Sequence, residues 1–256
     1  MGIEPIPGEP AAVATCAGER LLVVADFHAG IEAGLRREGV ELPDHARQRR
    51  ESLVGLVETE RPDQLLVLGD LGHAIGDTSR EERAELLTLF DALPTDLPVT
   101  LVRGNHDGDA ESLLDRVDQS VEITPGHGVR IGEVGFAHGH TWPSPDVLRA
   151  DVMCVAHEHP VVRLEDEVGG ARVERVWLRG SLNPAPFREF HGEDDIEPGS
   201  NRELVVCPAY NDLSGGTWVN VEGQEFLAPF LPDGFADGEA YLLNGTRLGE
   251  IGRAHV

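Results

Sequence analysis

Lysine is missing from all 256 positions, so the 21 basic side chains are all arginine, and they face 46 carboxylates for a formal net charge of −25. Such a balance excludes reliance on broad electrostatic attraction for binding nucleic acid. It predicts a salt-rich cytoplasm, as in halophilic archaea, because a Debye length of about 3 Å at 1 M ionic strength screens the self-repulsion of so many carboxylates. Cysteine is scarce: Cys16, Cys154 and Cys207 are odd in number and far apart. That excludes a disulfide framework and a cysteine-built metal site, and leaves the three as small buried apolar residues.

Long apolar runs are also lacking. The longest, such as Leu21 to Ala25 and Leu65 to Leu68, fall far short of the roughly 20 residues a membrane-spanning helix requires. The opening MGIEPIPGEP has neither a basic start nor a continuous apolar stretch, which predicts no secretory signal and a cytoplasmic location. No glycine-rich loop is followed by Lys-Ser or Lys-Thr, which disfavours a nucleoside triphosphatase. Ser181 lacks the G-x-S-x-G surroundings of a hydrolase elbow.

What is present alternates between short apolar runs and helical spacing. Leu21 to Ala25 reads as a strand ending at Asp26, Asp44 to Glu58 as a helix, and Leu65 to Leu68 as a strand ending at Gly69-Asp70. Ser79 to Asp91 reads as a helix with Ser79 and Glu82 as a capping box, and Val99 to Val102 as a strand entering Arg103-Gly104-Asn105-His106-Asp107. Strands alternating with helices predict parallel pairing through crossovers. From about Ser120 the runs become short and β-like: Val121 to Thr124, Val134 to His138, Val152 to Ala156, Val161 to Glu165, Ala171 to Leu178 and Leu204 to Cys207. These are expected to form a second, mostly antiparallel sheet facing the first. The stretch 191–201 reads as an acidic solvated loop, and 239–251 as a closing hairpin around Asn244-Gly245. All 256 residues are expected to form one domain.

The chemistry gathers where strands stop. In an open parallel sheet, functional groups collect outside the carboxyl ends of the strands. Here those ends carry Asp26-Phe27-His28, Gly69-Asp70 and Asn105-His106-Asp107, followed by Ala137-His138-Gly139-His140 and His157-Glu158-His159. In an extended chain, residues two apart point the same way, so Asp26 and His28 are expected to grip one ion from one side. Carboxylate plus imidazole suits manganese, iron or zinc better than calcium.

This ordered set resembles the calcineurin-like metallophosphoesterase superfamily, over Asp26 to His159. The resemblance implies a four-layered α/β/β/α sandwich of two mixed sheets flanked by helices, and an enzyme holding two divalent ions, manganese first, with zinc or iron(II) as alternatives. It implies Asp70 as the bridging ligand, with Asp26, His28 and His159 at one ion and Asn105, His138 and His157 at the other. His106 matches the general acid, and Asp107 is expected to orient or tune its imidazole. Ions of this kind supply a water nucleophile and offset phosphoryl charge. His140 remains the alternative to His138 as ligand, and His73 is either an exposed loop residue or a phosphate contact.

FHAGIEAGLRREGVELP from Phe27 to Pro43, His157-Glu158-His159-Pro160, and PAYNDLSGG from Pro208 to Gly216 are similar to the SbcD-related archaeal phosphoesterases and the DNA-ligase-associated endonucleases. That resemblance implies a DNA-processing role, a DNA or nucleotide phosphodiester substrate, and single-stranded-DNA-binding or repair proteins as partners. Arg36, Arg37, Arg47, Arg49 and Arg50 either guide a nucleic-acid backbone or form a helix face paired with Glu38, Glu41 and Glu51. A small-molecule phosphodiesterase and an inactive scaffold of the same fold stay open as alternatives.

Overall fold

A computed structural model describes residues 2–76, 78–165, 169–192, 202–221 and 223–251. The first sheet holds β1 (Gly2–Pro5), β2 (Ala11–Cys16), β3 (Glu19–Val24), β4 (Gln64–Val67), β5 (Val99–Val102) and β6 (Val121–Thr124), in that spatial order. β1 to β3 pair antiparallel, and β3 to β6 pair parallel. Parallel neighbours need crossovers. α1 (Ile31–Arg37) and α2 (Ala46–Glu60) carry the first, α3 (Arg80–Ala92) the second and α4 (Ala110–Leu114) the third. Ser79 caps α3, its hydroxyl accepting the Glu82 N–H at 3.2 Å, so the serine did mark a helix start.

The second sheet runs β14 (Arg247–Glu250), β13 (Phe235–Leu242), β11 (Ala171–Leu182), β12 (Glu203–Val206), β9 (Val152–Val155), β8 (Val134–Ala137) and β7 (Val129–Ile131). β10 (Val161–Glu165) pairs with β11 beside this path. One expectation needs correction. Val121 to Thr124 extends the first sheet beside β5, because α4 provides one more crossover before the chain changes sheets. The second sheet is mostly antiparallel, as expected, but β9, beside the candidate site, pairs parallel with both β8 and β12. The short helix α5 (Pro145–Leu148) lies between β8 and β9, and α6 (Ala185–His191) precedes β12. The expected hairpin is β13 and β14. Of the expected acidic loop only His191 and Gly192 fall within the described residues.

Burial follows the strand period of two. Leu21, Val23 and Ala25 face the other sheet, where they meet Phe136, Cys154, Trp177 and Val205. Leu22 and Val24 face outward under Leu53, Leu56, Leu86, Leu89 and Phe90 of the helices. On the far side, Met153, Val155, Val176 and Leu178 pack against α5, Phe187 of α6, and Val219, Phe230 and Leu231. The two sheets and flanking helices are the expected arrangement, though the outermost layer over the second sheet is largely irregular chain rich in glycine and proline. Three parallel strands in each sheet, β3 to β5 and β8, β9 and β12, carry or brace the candidate site residues at or just beyond their carboxyl ends.

Candidate metal centre

Backbone bonds knit these strand ends together before any side chain is considered. Asp26 N–H donates to the Gly69 carbonyl (3.1 Å), His28 N–H to that of Asp70 (2.9 Å), and Ala156 N–H to that of His138 (2.8 Å). The two sheets are joined here as well: Tyr210 and Asn211, just past β12, donate their N–H groups to Ala25 (2.7 Å) and Asp26 (3.2 Å).

The expected extended chain from Asp26 to His28 is not what presents these residues. Asp26, His28, Asp70, His157 and His159 all have positive φ, between 44° and 71°. Only Ala17 and Arg61 share that conformation among the other described non-glycine residues. Left-handed backbone costs a side-chain-bearing residue on the order of 1–3 kcal/mol and collects at functional sites. The chain therefore turns sharply after β3, β4 and β9 as it delivers these polar side chains.

The side chains converge. Asp26 Oδ1 lies 2.9 Å from His138 Nε2 and 3.2 Å from His159 Nε2, and His28 Nε2 lies 3.3 Å from His159 Nε2. Asp70 Oδ2 is 3.8 Å from His28 Nε2, 3.6 Å from His138 Nε2 and 3.8 Å from His106 Nε2. Two donor clusters share Asp70, one of Asp26, His28, Asp70 and His159, the other of Asp70, His138 and His157, and a third group joins His28, His73 and His106. Donors about 2.1 Å from a shared ion stand about 3.0–3.5 Å apart. The contacts through His159 have that spacing. Facing imidazole nitrogens beside buried carboxylates, whose side-chain ion-pair partners among the described residues are histidines, fit divalent cations.

Residues 19–179 match the family model described as calcineurin-like phosphoesterase. The chain belongs to that family. It is thus a metal-dependent hydrolase of phosphoesters. Among solved structures, the Pseudomonas putida nuclease MPE is similar in fold, with a TM-score of 0.54 and 17% identity over 96% of this chain and 100% of that one. Yfce, a phosphoesterase from E. coli, aligns with a TM-score of 0.36 and 13% identity over 91% of this chain and 98% of that one. No curated protein matches the chain in sequence.

Within this phosphoesterase site, burial and neighbours split the titrations. Burial opposes ionisation of Asp26, yet His159 and His138 hold its carboxyl well below the usual carboxylate range. Asp70 is pushed up to about 6 by burial, against the pull of His138. Burial, aided by His138, lowers His157 to about 3 and His140 to about 4.

Asp107 departs from its expected role. Its carboxylate accepts the backbone N–H groups of Asp70 (2.8 Å), Leu71 (2.9 Å) and Gly104 (2.8 Å), so it clamps the β4 and β5 ends together. The His106 ring is oriented by another group, with Nδ1 2.5 Å from the His73 carbonyl oxygen. Gly104 has no alternative here, since a Cβ would run into the Asp70 carboxylate. Asn105 is exposed beside them. His138, not His140, belongs to the donor cluster, while His140 Nδ1 sits 3.0 Å from His138 Nδ1.

Several supporting residues take roles that local sequence did not specify. His73 is half-buried, stacked on His106 with centroids 5.7 Å apart, so the exposed-loop reading fails. Asn211 Nδ2 donates to the carbonyls of Phe27 (3.0 Å) and His28 (3.3 Å). Glu158 is buried between two candidate ligands, its carboxylate accepting from the Thr217 hydroxyl (2.7 Å) and the Ala228 N–H (2.5 Å). Arg49 is buried against Glu32 and Glu85, Arg47 pairs with Glu51 and Arg37 with Glu81. The arginine-rich stretch is mainly a paired helix face. The segment Pro208 to Gly216, noted for its resemblance, is the clasp over the Asp26 turn.

Proposed function

We propose that the chain is a manganese-dependent phosphodiesterase acting on DNA, akin to the SbcD-related archaeal phosphoesterases and DNA-ligase-associated endonucleases. The observation that carries this reading is the pair of donor clusters sharing Asp70. Asp26, His28, Asp70 and His159 would hold one ion, and Asp70, Asn105, His138 and His157 the other. Such ions supply a water nucleophile at neutral pH and offset the charge of the phosphoryl group.

The chain's own residues do the remainder. His106 keeps its Nδ1 proton on the His73 carbonyl, so in the imidazolium form the second proton, on Nε2, would pass to the departing oxygen and leave a neutral ring. Asp107 and Gly104 fix the height of that imidazole relative to Asp70, and Asn211 and Glu158 stop the ligand-bearing turns from unwinding. The acidic, lysine-free composition supports work in concentrated salt, and the resemblance adds single-stranded-DNA-binding or repair proteins as partners.

A small-molecule phosphodiester is the second reading. It is favoured by the pairing of Arg37, Arg47 and Arg49 with carboxylates, which removes them from a phosphate-guiding track. The test is turnover in high salt with manganese on bis-p-nitrophenyl phosphate, single-stranded DNA, duplex DNA and cyclic nucleotides. Cleavage of DNA with the model diester supports the first reading. Cleavage confined to the small substrates removes it.

A further inference from the structure

Three apolar side chains stand exposed in segments tied to the polar centre through the chain or through a hydrogen bond. Ile75 is 79% exposed and follows His73 by two positions. Leu227 is 58% exposed and precedes Ala228, whose N–H is bound by Glu158. Phe190, at the end of α6, is 55% exposed and lies flat on Trp142, with centroids 4.5 Å apart and planes 8° apart.

Trp142 itself sits two residues beyond His140, a span of at most about 7 Å, and His140 touches His138. The stack is built rather than incidental. Phe187 and Phe230 support Trp142 from beneath, and His191 Nε2, 2.8 Å from the Pro143 carbonyl oxygen, pins the helix end to the tryptophan loop. Exposed Glu189 stands next to Phe190 and repels phosphate from the platform.

We propose that Phe190, backed by Trp142, is a stacking platform for an unpaired nucleobase, placed a few nucleotides along the strand from the bond that is cut. This rests on the phosphodiesterase reading above and names its substrate class as single-stranded nucleic acid. Every base has a π-face, whereas a duplex hides its faces and presents phosphates to a protein of net charge −25. Stacking is insensitive to salt, which suits an acidic protein in brine.

The test uses the full chain in two arms. Without metal, in chelator, anisotropy measures binding of a fluorescent single strand, the matching duplex, and a strand of equal length made abasic. With manganese, turnover of bis-p-nitrophenyl phosphate reports the centre alone. The wild type is expected to prefer the base-bearing strand over both others, with a slope of log affinity against log salt no steeper than about −1.5, the release expected from about two phosphates. Phe190→Ala is expected to weaken single-strand binding about 5- to 100-fold and erase the preference over the abasic strand. Phe190→Trp is expected to restore both, with turnover of the small diester unchanged throughout. Absent single-strand binding, equal binding of duplex, or Phe190→Ala binding like wild type overturns the platform. Failure of the small-diester arm in the wild type overturns the phosphodiesterase reading instead.

Discussion

Two groups of buried carboxylates lie close together in this molecule, and their partners set them apart. Glu32 and Glu85 share one guanidinium, that of Arg49, and are held by it and by the N–H groups of His45 and Gly30. The set is closed: a cation is built into the chain. Asp26 and Asp70 are as deeply buried, but the groups that face them are imidazoles and backbone amides, with the nearest nitrogens spaced as if around something absent from the chain. The first arrangement is architecture. The second is the donor set proposed to hold cations, and the identity of the partner, more than burial or carboxylate count, separates the two.

Asp70→Ala should break the comparison most severely, since both clusters lose a donor. Turnover of bis-p-nitrophenyl phosphate should fall by about 10,000-fold or more, beyond the roughly 100- to 1,000-fold typical of one lost electrostatic group. Metal analysis of the folded variant should show less bound ion than wild type, and full retention would refute the shared-ligand assignment. His106→Ala should leave metal content intact while lowering kcat on the order of 100- to 10,000-fold. An unchanged kcat would place the proton donor elsewhere.

On the architectural side, Arg49→Met should strand Glu32 and Glu85 and destabilise the fold by about 3–5 kcal/mol in urea denaturation. Replacing all three residues by apolar ones should recover most of that loss. Should the single variant melt like wild type, the distinction drawn between the two groups collapses.

Glu82 is the case between, a buried carboxylate with backbone donors such as the Ala74 N–H (3.2 Å) and no cation. Burial pushes its pKa from an ordinary 4.5 up to about 7. Because the folded value is the higher one, the stabilisation is complete below pH 4.5 and lost as pH rises through about 7. Glu82→Gln should therefore gain on wild type across that window, by about 1–3 kcal/mol at pH 8. Equal pH profiles in thermal melts would sink this assignment. The smallest effect should come from Asn211→Ala, which releases the Phe27 and His28 carbonyls and should weaken metal affinity about 10-fold, read by titration with manganese.

Local chemistry made the site legible. D-x-H, G-D, G-N-H-D, H-G-H and H-E-H each combine residue types that few folds place at successive strand ends, and each was readable where it stood. Parallel pairing of β3, β4 and β5 was readable too, because helical spacing intervenes. Register and sheet membership were not: Val121 to Thr124 carries the same apolar pattern whether it borders β5 or starts another sheet. Nor was the role of Asp107, which looks like a partner for its neighbour His106 until the fold brings Asp70, Leu71 and Gly104 against it.

The sequence alone determined which groups could hold a cation, how many strand ends carry them, and the acidic, lysine-free character of the surface, since these depend on residue type and short spacing. Tertiary structure decided which nitrogen faces which oxygen, that Arg49 is a buried counter-ion, that Asn211 clasps a turn 183 to 184 residues away in the chain, and that Phe190 lies open on Trp142. Contacts of that separation leave no local pattern, because their free energy is realised only when two sheets close on a common core.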